Sequence, residues 1–258
     1  MQNKNDYGTK MITSSKSMRL QKVLAQAGLG SRRKCEQLIL DGDVRINGKI
    51  VTELGTKVNL EEDDVSYRGK KLPPPAKVPK IYILLYKPRG YITSLHDEQD
   101  RPTVMKLLPR MAHRVFPVGR LDYNTEGLLL LTNDGELSNA LTHPKHQVPR
   151  GYLVKVRGVL KEEEVVHQLK KGIYHGRDRI TADSVSLTKT TQRNSWLSVV
   201  VHEGKNREIR RMFEALGHPV LKLKRTRFAF LSLKGLQPGE SRFLSLDEVE
   251  RLEELSAG

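Results

Sequence analysis

The chain has a single cysteine, Cys35, in 258 residues. It can form no internal disulfide, and a thiolate cage for a metal is excluded with it. Histidine offers little more, since eight are scattered along the chain and only His143-Pro-Lys-His146 brings two close in sequence. A metal-dependent nuclease needs clustered carboxylates or histidines, so that reading has little to stand on. No apolar run approaches the ~18 residues needed to cross a bilayer. The opening Met1-Gln-Asn-Lys-Asn-Asp-Tyr-Gly-Thr-Lys10 also lacks the apolar core of a signal peptide. The expectation is a cytoplasmic protein without membrane contact. Acidic side chains are in deficit, 30 against 45 Lys and Arg, leaving a net charge of +15. Such an excess calls for a polyanion partner. Residues 1–72 hold 14 basic and 9 acidic residues, so the surplus is shared with the rest of the chain. Both parts can therefore follow one phosphate backbone.

Residues 1–17 are polar and show no apolar period, which predicts a flexible arm. From Met18, the residues Leu20, Val23, Leu24 and Ala27 recur at helical spacing, and Gly28-Leu-Gly30 ends that helix. Ser31 is placed to cap a second helix, Arg32 to about Asp41, with Cys35, Leu38 and Ile39 as its apolar stripe. Arg32, Arg33 and Lys34 crowd its first turn against the helix dipole, a conflict that a bound phosphate would remove. Val44-Arg-Ile-Asn-Gly-Lys-Ile-Val51 reads as a hairpin turning at Asn47-Gly48. Helix, helix and basic hairpin in this order resemble the S4-type RNA-binding module over residues 18–72. The resemblance implies an RNA partner and names no reaction. Proline-rich residues 73–80 read as a semi-rigid tether.

Residues 81–258 form the second expected domain, organised around Val118-Gly-Arg-Leu-Asp-Tyr-Asn-Thr-Glu-Gly-Leu-Leu-Leu-Leu-Thr-Asn-Asp-Gly135. The four leucines, closed by a turn signal, predict a buried strand, and Asp122 then lies in the loop that feeds it. An acid there is either a structural turn residue or a working group set against apolar walls. Ile81 to Tyr86 predicts another buried strand, and Arg150 to Arg157, Ile180 to Leu187 and Trp196 to Val201 predict more. Glu136 to Thr142 and Lys161 to Lys171 predict helices, the second facing solvent. Helices among short strands without regular alternation give an α+β domain with a mixed, mainly antiparallel sheet.

In His202-Glu-Gly-Lys-Asn-Arg-Glu-Ile-Arg-Arg-Met-Phe-Glu-Ala-Leu-Gly217, Ile209, Met212, Phe213 and Leu216 form a helical stripe. At about 100° per residue, Arg207 and Arg211 point away from that stripe and Arg210 lies at its edge. Only Arg210 is placed to be half-buried. A final helix starts near Asp247, with Ser245-Leu-Asp-Glu248 as its capping box. A desolvated aspartate would take up a proton unless a guanidinium held it charged, so Asp122 and Arg210 make a physically sensible pair; such a pair can be purely structural, but the Gly119 to Gly127 loop and Arg120 ahead of the acid favour function.

These three stretches resemble the RsuA/RluB-type ribosomal-RNA pseudouridine synthases, from about Met18 to the end of the chain. Gly119-Arg-Leu-Asp122 with Thr125, Gly127 and the leucines is similar to that family's signature loop, which implies that Asp122 is the essential aspartate. Arg150-Gly-Tyr152 is similar to its basic-x-Tyr motif, implying that Tyr152 stacks on the target uracil. Glu203 to Met212 is similar to its third motif, with Ile209 lining the pocket and Arg210 paired with Asp122. Glu208 stands where the family often has Gln. The resemblance further implies base flipping into a dry pocket, Arg120 holding the vacated space, Lys205 and Arg207 on the RNA, and no metal or organic cofactor. Uridine would be isomerised in place in ribosomal RNA, more in keeping with the large subunit than the small, by a monomer acting on rRNA or a ribosome-assembly intermediate. The alternative is a non-catalytic RNA-binding or assembly protein, which leaves the Asp122 loop unexplained.

Overall fold

In a computed structural model of the chain, the structure describes residues 17–73, 79–111 and 113–257. The expected arm, apart from Ser17, and most of the expected tether lie outside the described residues. The chain divides into two compact units between Pro79 and Lys80.

The first unit is built on helices α1 (Leu20–Gln26) and α2 (Arg32–Leu40). The Ser31 hydroxyl accepts the Lys34 backbone N–H at 3.2 Å, satisfying one of the orphan donors at the start of α2. Leu20, Val23 and Leu24 meet Cys35, Leu38 and Ile39 in the core, and Val44, Val58 and Val65 close it. Val44–Ile46 and Lys49–Ile50 pair around Asn47 and Gly48, both at positive φ (50° and 79°), as a two-residue turn of this type requires.

The second unit is a nine-stranded mixed sheet. Seven strands form its path: β1 (Tyr82–Lys87), β2 (Glu126–Thr132), β3 (Arg150–Arg157), β4 (Ser184–Thr190), β5 (Asn194–Val201), β6 (Val220–Phe228) and β7 (Ser241–Phe243). They run in the order β4-β5-β3-β6-β2-β1-β7, antiparallel throughout except where β6 lies parallel to β2. The helices are α3 (Gly135–Thr142), α4 (Glu162–Lys171), α5 (Glu208–Ala215) and α6 (Leu246–Ala257).

The leucine run of β2 is explained by cover on both faces. Leu128 and Leu130 pack with Leu84, Leu137, Leu141 and Leu252, while Leu129 and Leu131 pack with Ile83, Leu85, Val104 and Val115. A strand sandwiched in this way reads as continuous hydrophobic sequence, and each buried leucine contributes roughly 2 kcal/mol. A third cluster joins β3, β5 and β6 to Ile209, Met212 and Phe213 of α5 and to Val165 and Leu169 of α4.

Two local expectations need correction, and one turn residue gains a role. Helix α4 faces solvent on one side only, because Val165 and Leu169 are buried against the sheet. Residues 180–187 are two strands: Ile180 ends a separate hairpin, Ile173–His175 with Asp178–Ile180, and β4 begins at Ser184. The Asp134 of the turn signal is the N-cap of α3, its Oδ1 accepting the Glu136 and Leu137 N–H groups at 3.0 and 3.1 Å. The capping box forms as read, with Glu248 N–H donating to Ser245 Oγ and Ser245 N–H to Glu248 Oε2. Among the described residues no helix is long and apolar enough to cross a membrane.

Candidate active site

Asp122 sits in the loop entering β2, and that loop is clamped from two sides before the carboxylate reaches solvent. On one side, Thr93 Oγ1 donates to the Leu121 carbonyl at 2.7 Å and accepts the Leu121 N–H at 3.2 Å. On the other, the Lys87 ammonium at the end of β1 donates to the carbonyls of Thr125 (2.7 Å), Asp122 (3.1 Å) and Pro88 (3.1 Å). Lys87 is fully buried. Burial drops its pKa to about 8, while the nearby charges of Asp122 and Glu126 pull it upward. Three carbonyls match the three donors of an ammonium, which is why a charge is tolerated there.

Gly127 lets β6 approach. Its φ of 119° and the position of the Arg225 backbone leave no room for a Cβ, which would overlap the Arg225 carbonyl. Arg225 itself is buried and donates through Nε to the Leu128 carbonyl at 2.7 Å. The entry to β2 is thus fixed laterally as well as along the chain.

Helix α5 supplies the cations. Arg210, its side chain 14% exposed, holds Nε 3.8 Å from Asp122 Oδ2. Its Nη2 donates to the Asn124 carbonyl and to Thr125 Oγ1, each at 3.4 Å. Burial lowers its pKa, and so does neighbouring Arg207, against the pull of Asp122. Arg207 precedes α5 in a left-handed conformation, φ 48°, which turns its Nη1 to 3.7 Å from the same Asp122 oxygen. At these distances the carboxylate is held by charge between two guanidinium groups, short of a hydrogen-bonded pair. Arg210 Nε is buried without a hydrogen-bond partner among the described residues.

A cleft of about 550 Å³ opens beside the acid, lined by Thr93, Arg120, Asp122, Asn124, Arg207 and Arg210 among others. It is polar, and the Asp122 side chain is 37% exposed. The expectation of a dry pocket is therefore corrected: the loop that carries Asp122 packs on the core through Leu121, whereas the carboxylate projects outward.

The other residues singled out from sequence fall into separate groups. Arg120 is exposed at the cleft. Tyr152 on β3 is half-buried against the core that holds Ile209, and neither residue is in the cleft wall. Across the sheet Tyr152 shares a row with Arg225 and Gly127. Lys205 pairs with Glu203 and donates to the Arg179 carbonyl at 3.2 Å. Arg32, Arg33 and Lys34 are exposed on the first turn of α2, in the other unit. Arg211, expected to point to solvent, has a side chain only 19% exposed, because the hairpin 173–180 packs over it and Asp178 Oδ2 sits 2.6 Å from its Nη1.

Sequence reading missed Lys87 and Thr93, whose contacts are with backbone, and gave Arg207 an RNA role without the charge contact to Asp122. Arg150 of the basic-x-Tyr motif is also inward: Nη1 donates to the carbonyls of His202 (2.7 Å) and Val148 (3.2 Å). Glu208, where the family often has Gln, is buried. Burial and then Glu203 raise its carboxyl to about 7, against Lys205, Arg150 and Arg211.

Against known proteins, the family model for RNA pseudouridylate synthase matches residues 81–215 and that for the S4 domain matches residues 18–65. The ribosomal large subunit pseudouridine synthase B of Bacillus subtilis is 46% identical, over 92% of this chain and 96% of its own. A protein of Aquifex aeolicus described as an uncharacterized RNA pseudouridine synthase is 42% identical, over 91% of this chain and 93% of its own. Among solved structures, a crystal structure of a pseudouridylate synthase covers 92% of this chain with all of its own length, at 29% identity and a TM-score of 0.63. The match of the synthase model across more than half of the residues, on a fold whose clamped aspartate loop stands beside a nucleotide-sized cleft, means that the chain belongs to the RNA pseudouridylate synthase family.

Proposed function

We propose that this pseudouridine synthase modifies a uridine of large-subunit ribosomal RNA, with Asp122 as its essential carboxylate. The observation that carries the assignment of the site is the Asp122 carboxylate itself: backbone clamped by Lys87 and Thr93, one oxygen 3.7 to 3.8 Å from two arginines, at the wall of the cleft. The name of the Bacillus subtilis relative supports the choice of subunit.

In this reading the target nucleotide is flipped out of its stack into the cleft and Arg120 occupies the space it leaves. The bond between uracil N1 and ribose C1′ breaks, with Asp122 attacking C1′ or stabilising the charge that develops there. The uracil turns and a bond forms from C5 to C1′; C5 loses its proton and N1 ends with one. Because the cleft is open on one side, the bound base has to expel the water that would otherwise capture the sugar. The family resemblance gives Tyr152 the face of the uracil, with Ile209 behind it in the same core; both stand outside the cleft wall, so the base has to extend past that wall to meet the ring. Arg210 keeps the carboxylate oriented. Lys205 and Arg207, with Arg32, Arg33 and Lys34 of the 18–72 RNA-binding domain, contact RNA phosphates. The isomerisation is redox-neutral and keeps every heavy atom, so it needs no oxidant or co-substrate, and this reading gives no step to a metal or organic cofactor. The enzyme acts as a monomer in the cytoplasm, on rRNA or an assembly intermediate.

The test uses large-subunit and small-subunit rRNA transcripts tritiated at uridine C5. Wild type should release tritium from the large-subunit transcript, and Asp122→Asn should release none. Equal release by the variant removes Asp122 from the chemistry, and release from the small-subunit transcript alone reassigns the target.

A further inference from the structure

Two consecutive arginines of α5 serve different neighbours. Arg210 reaches the Asp122 loop, whereas Arg211 is bound to Asp178 of the hairpin Ile173–Ile180. The hairpin therefore packs on the same helix that lends Arg210 to the cleft, about 100° around it. Two strands of three residues are marginal by themselves in water. This pair is held by three outside contacts: Arg211 to Asp178 at 2.6 Å, Lys205 Nζ to the Arg179 carbonyl at 3.2 Å, and Arg179 Nη2 to the Lys171 carbonyl at 2.6 Å. Its inner face is closed by Ile180, fully buried, and by Ile173. Tyr174 and Arg179 are directly opposed cross-strand, so they share the outer face.

Tyr174 is 69% exposed, more than any other aromatic side chain among the described residues. Neither its ring nor its hydroxyl has a partner there. Exposed Lys170, Lys171 and Arg177 lie within four residues of it along the chain and exposed Arg179 faces it across the hairpin, while the acids Asp178 and Glu203 are paired with Arg211 and Lys205. No other large apolar side chain is exposed on the hairpin, whereas a protein interface would present an apolar core around such a ring. A rigidly mounted ring among cations is the arrangement that binds unpaired nucleic acid, one base stacked on the ring and phosphates on the cations.

We propose that the hairpin 173–180 is an RNA contact outside the cleft, in which Tyr174 stacks on an unpaired base of the substrate and Lys171 and Arg177 meet its phosphates. The partner class rests on the RNA reading given above. The ring sits outside the cleft and acts on binding, with no part in the bond-making steps.

The test compares full-length wild type, Tyr174→Ala and Tyr174→Phe in pseudouridine formation on large-subunit rRNA and in binding to single-stranded oligouridine and to duplex RNA. Loss of one stacked base should raise KM and weaken oligouridine binding about tenfold for Tyr174→Ala, with kcat changed less than about twofold. Tyr174→Phe should match wild type, and duplex binding should be unaffected. Wild-type KM and oligouridine affinity in Tyr174→Ala overturn the proposal, as does an equal loss on duplex RNA. A defect confined to ribosomal particles, with naked RNA bound normally, also overturns it and assigns the surface to a protein. A wild type that forms no pseudouridine yet binds oligouridine through Tyr174 leaves the contact standing and removes the catalytic reading instead.

Discussion

Replacing Lys87 with methionine and following stability into alkaline pH isolates the buried ammonium beneath the Asp122 loop. In the unfolded chain this group titrates at about 10.5, and burial brings it to about 8 in the native state. Below about pH 8 both states carry the proton, and stability does not depend on pH through this group. Between about 8 and 10.5 the unfolded state holds a proton that the native state has released, so stability rises with pH across that window. At about 1.4 kcal/mol per unit the full rise is ~3 kcal/mol. For a unit of this size that is roughly 6 to 12 °C in Tm. Methionine has a similar length and no proton, so the difference in Tm between wild type and Lys87→Met, measured from near neutral to pH 10.5, removes the contribution of every other titrating group. The gap should move in favour of wild type by several degrees as pH passes 8. A flat gap would mean that Lys87 is hydrated and titrates normally, and that the clamp on the Asp122 carbonyl is not as tight as its distances imply. Activity should run the other way. The neutral amine has two N–H groups for three carbonyls, so wild-type kcat should fall through about pH 8, while Lys87→Met should be slow at every pH without that limb.

Arg210→Ala should lower kcat roughly a hundredfold, because a guanidinium 3.8 Å from the carboxylate is removed; Arg211→Ala should instead raise KM by releasing the hairpin, and the reverse ranking in steady-state kinetics refutes the division of labour between them. Gly127→Ala should cost roughly 3 kcal/mol or more and lower kcat, since its Cβ would overlap the Arg225 backbone at a φ of 119°. Gly235→Ala, at a φ of 80° with open space around it, should cost only about 1 kcal/mol, and equal unfolding midpoints for the two variants would deny the close approach of β2 and β6.

Signals that act within a few residues were legible in the chain. Ser31, Ser245 with Glu248, and Asn47-Gly48 each satisfy or bend backbone next to themselves, and each does so in the structure. The stripe of α5 was legible for the same reason, and so was the leucine strand. What covers a helix is another matter. Angles around α5 send Arg211 to solvent, but a hairpin more than thirty residues upstream lies over it and supplies its carboxylate. Sheet order was hidden likewise, because the parallel pairing of β2 with β6 joins segments about a hundred residues apart and leaves no local period.

The active site divides along the same line. Asp122 could be singled out because a charge ahead of a buried strand is chemically conspicuous, and the family resemblance gave it a role. Its clamps are inconspicuous. Lys87 ends a strand where a turn lysine is commonplace and Thr93 sits in a polar loop, yet both bind main-chain carbonyls, which every residue possesses. Backbone recognition leaves no complementary side chain to pair with, so no spacing of residue types reveals it. The geometry of the carboxylate thus depends on two residues that only the folded chain brings to it, and removing either should disturb catalysis without touching any group that contacts the uracil.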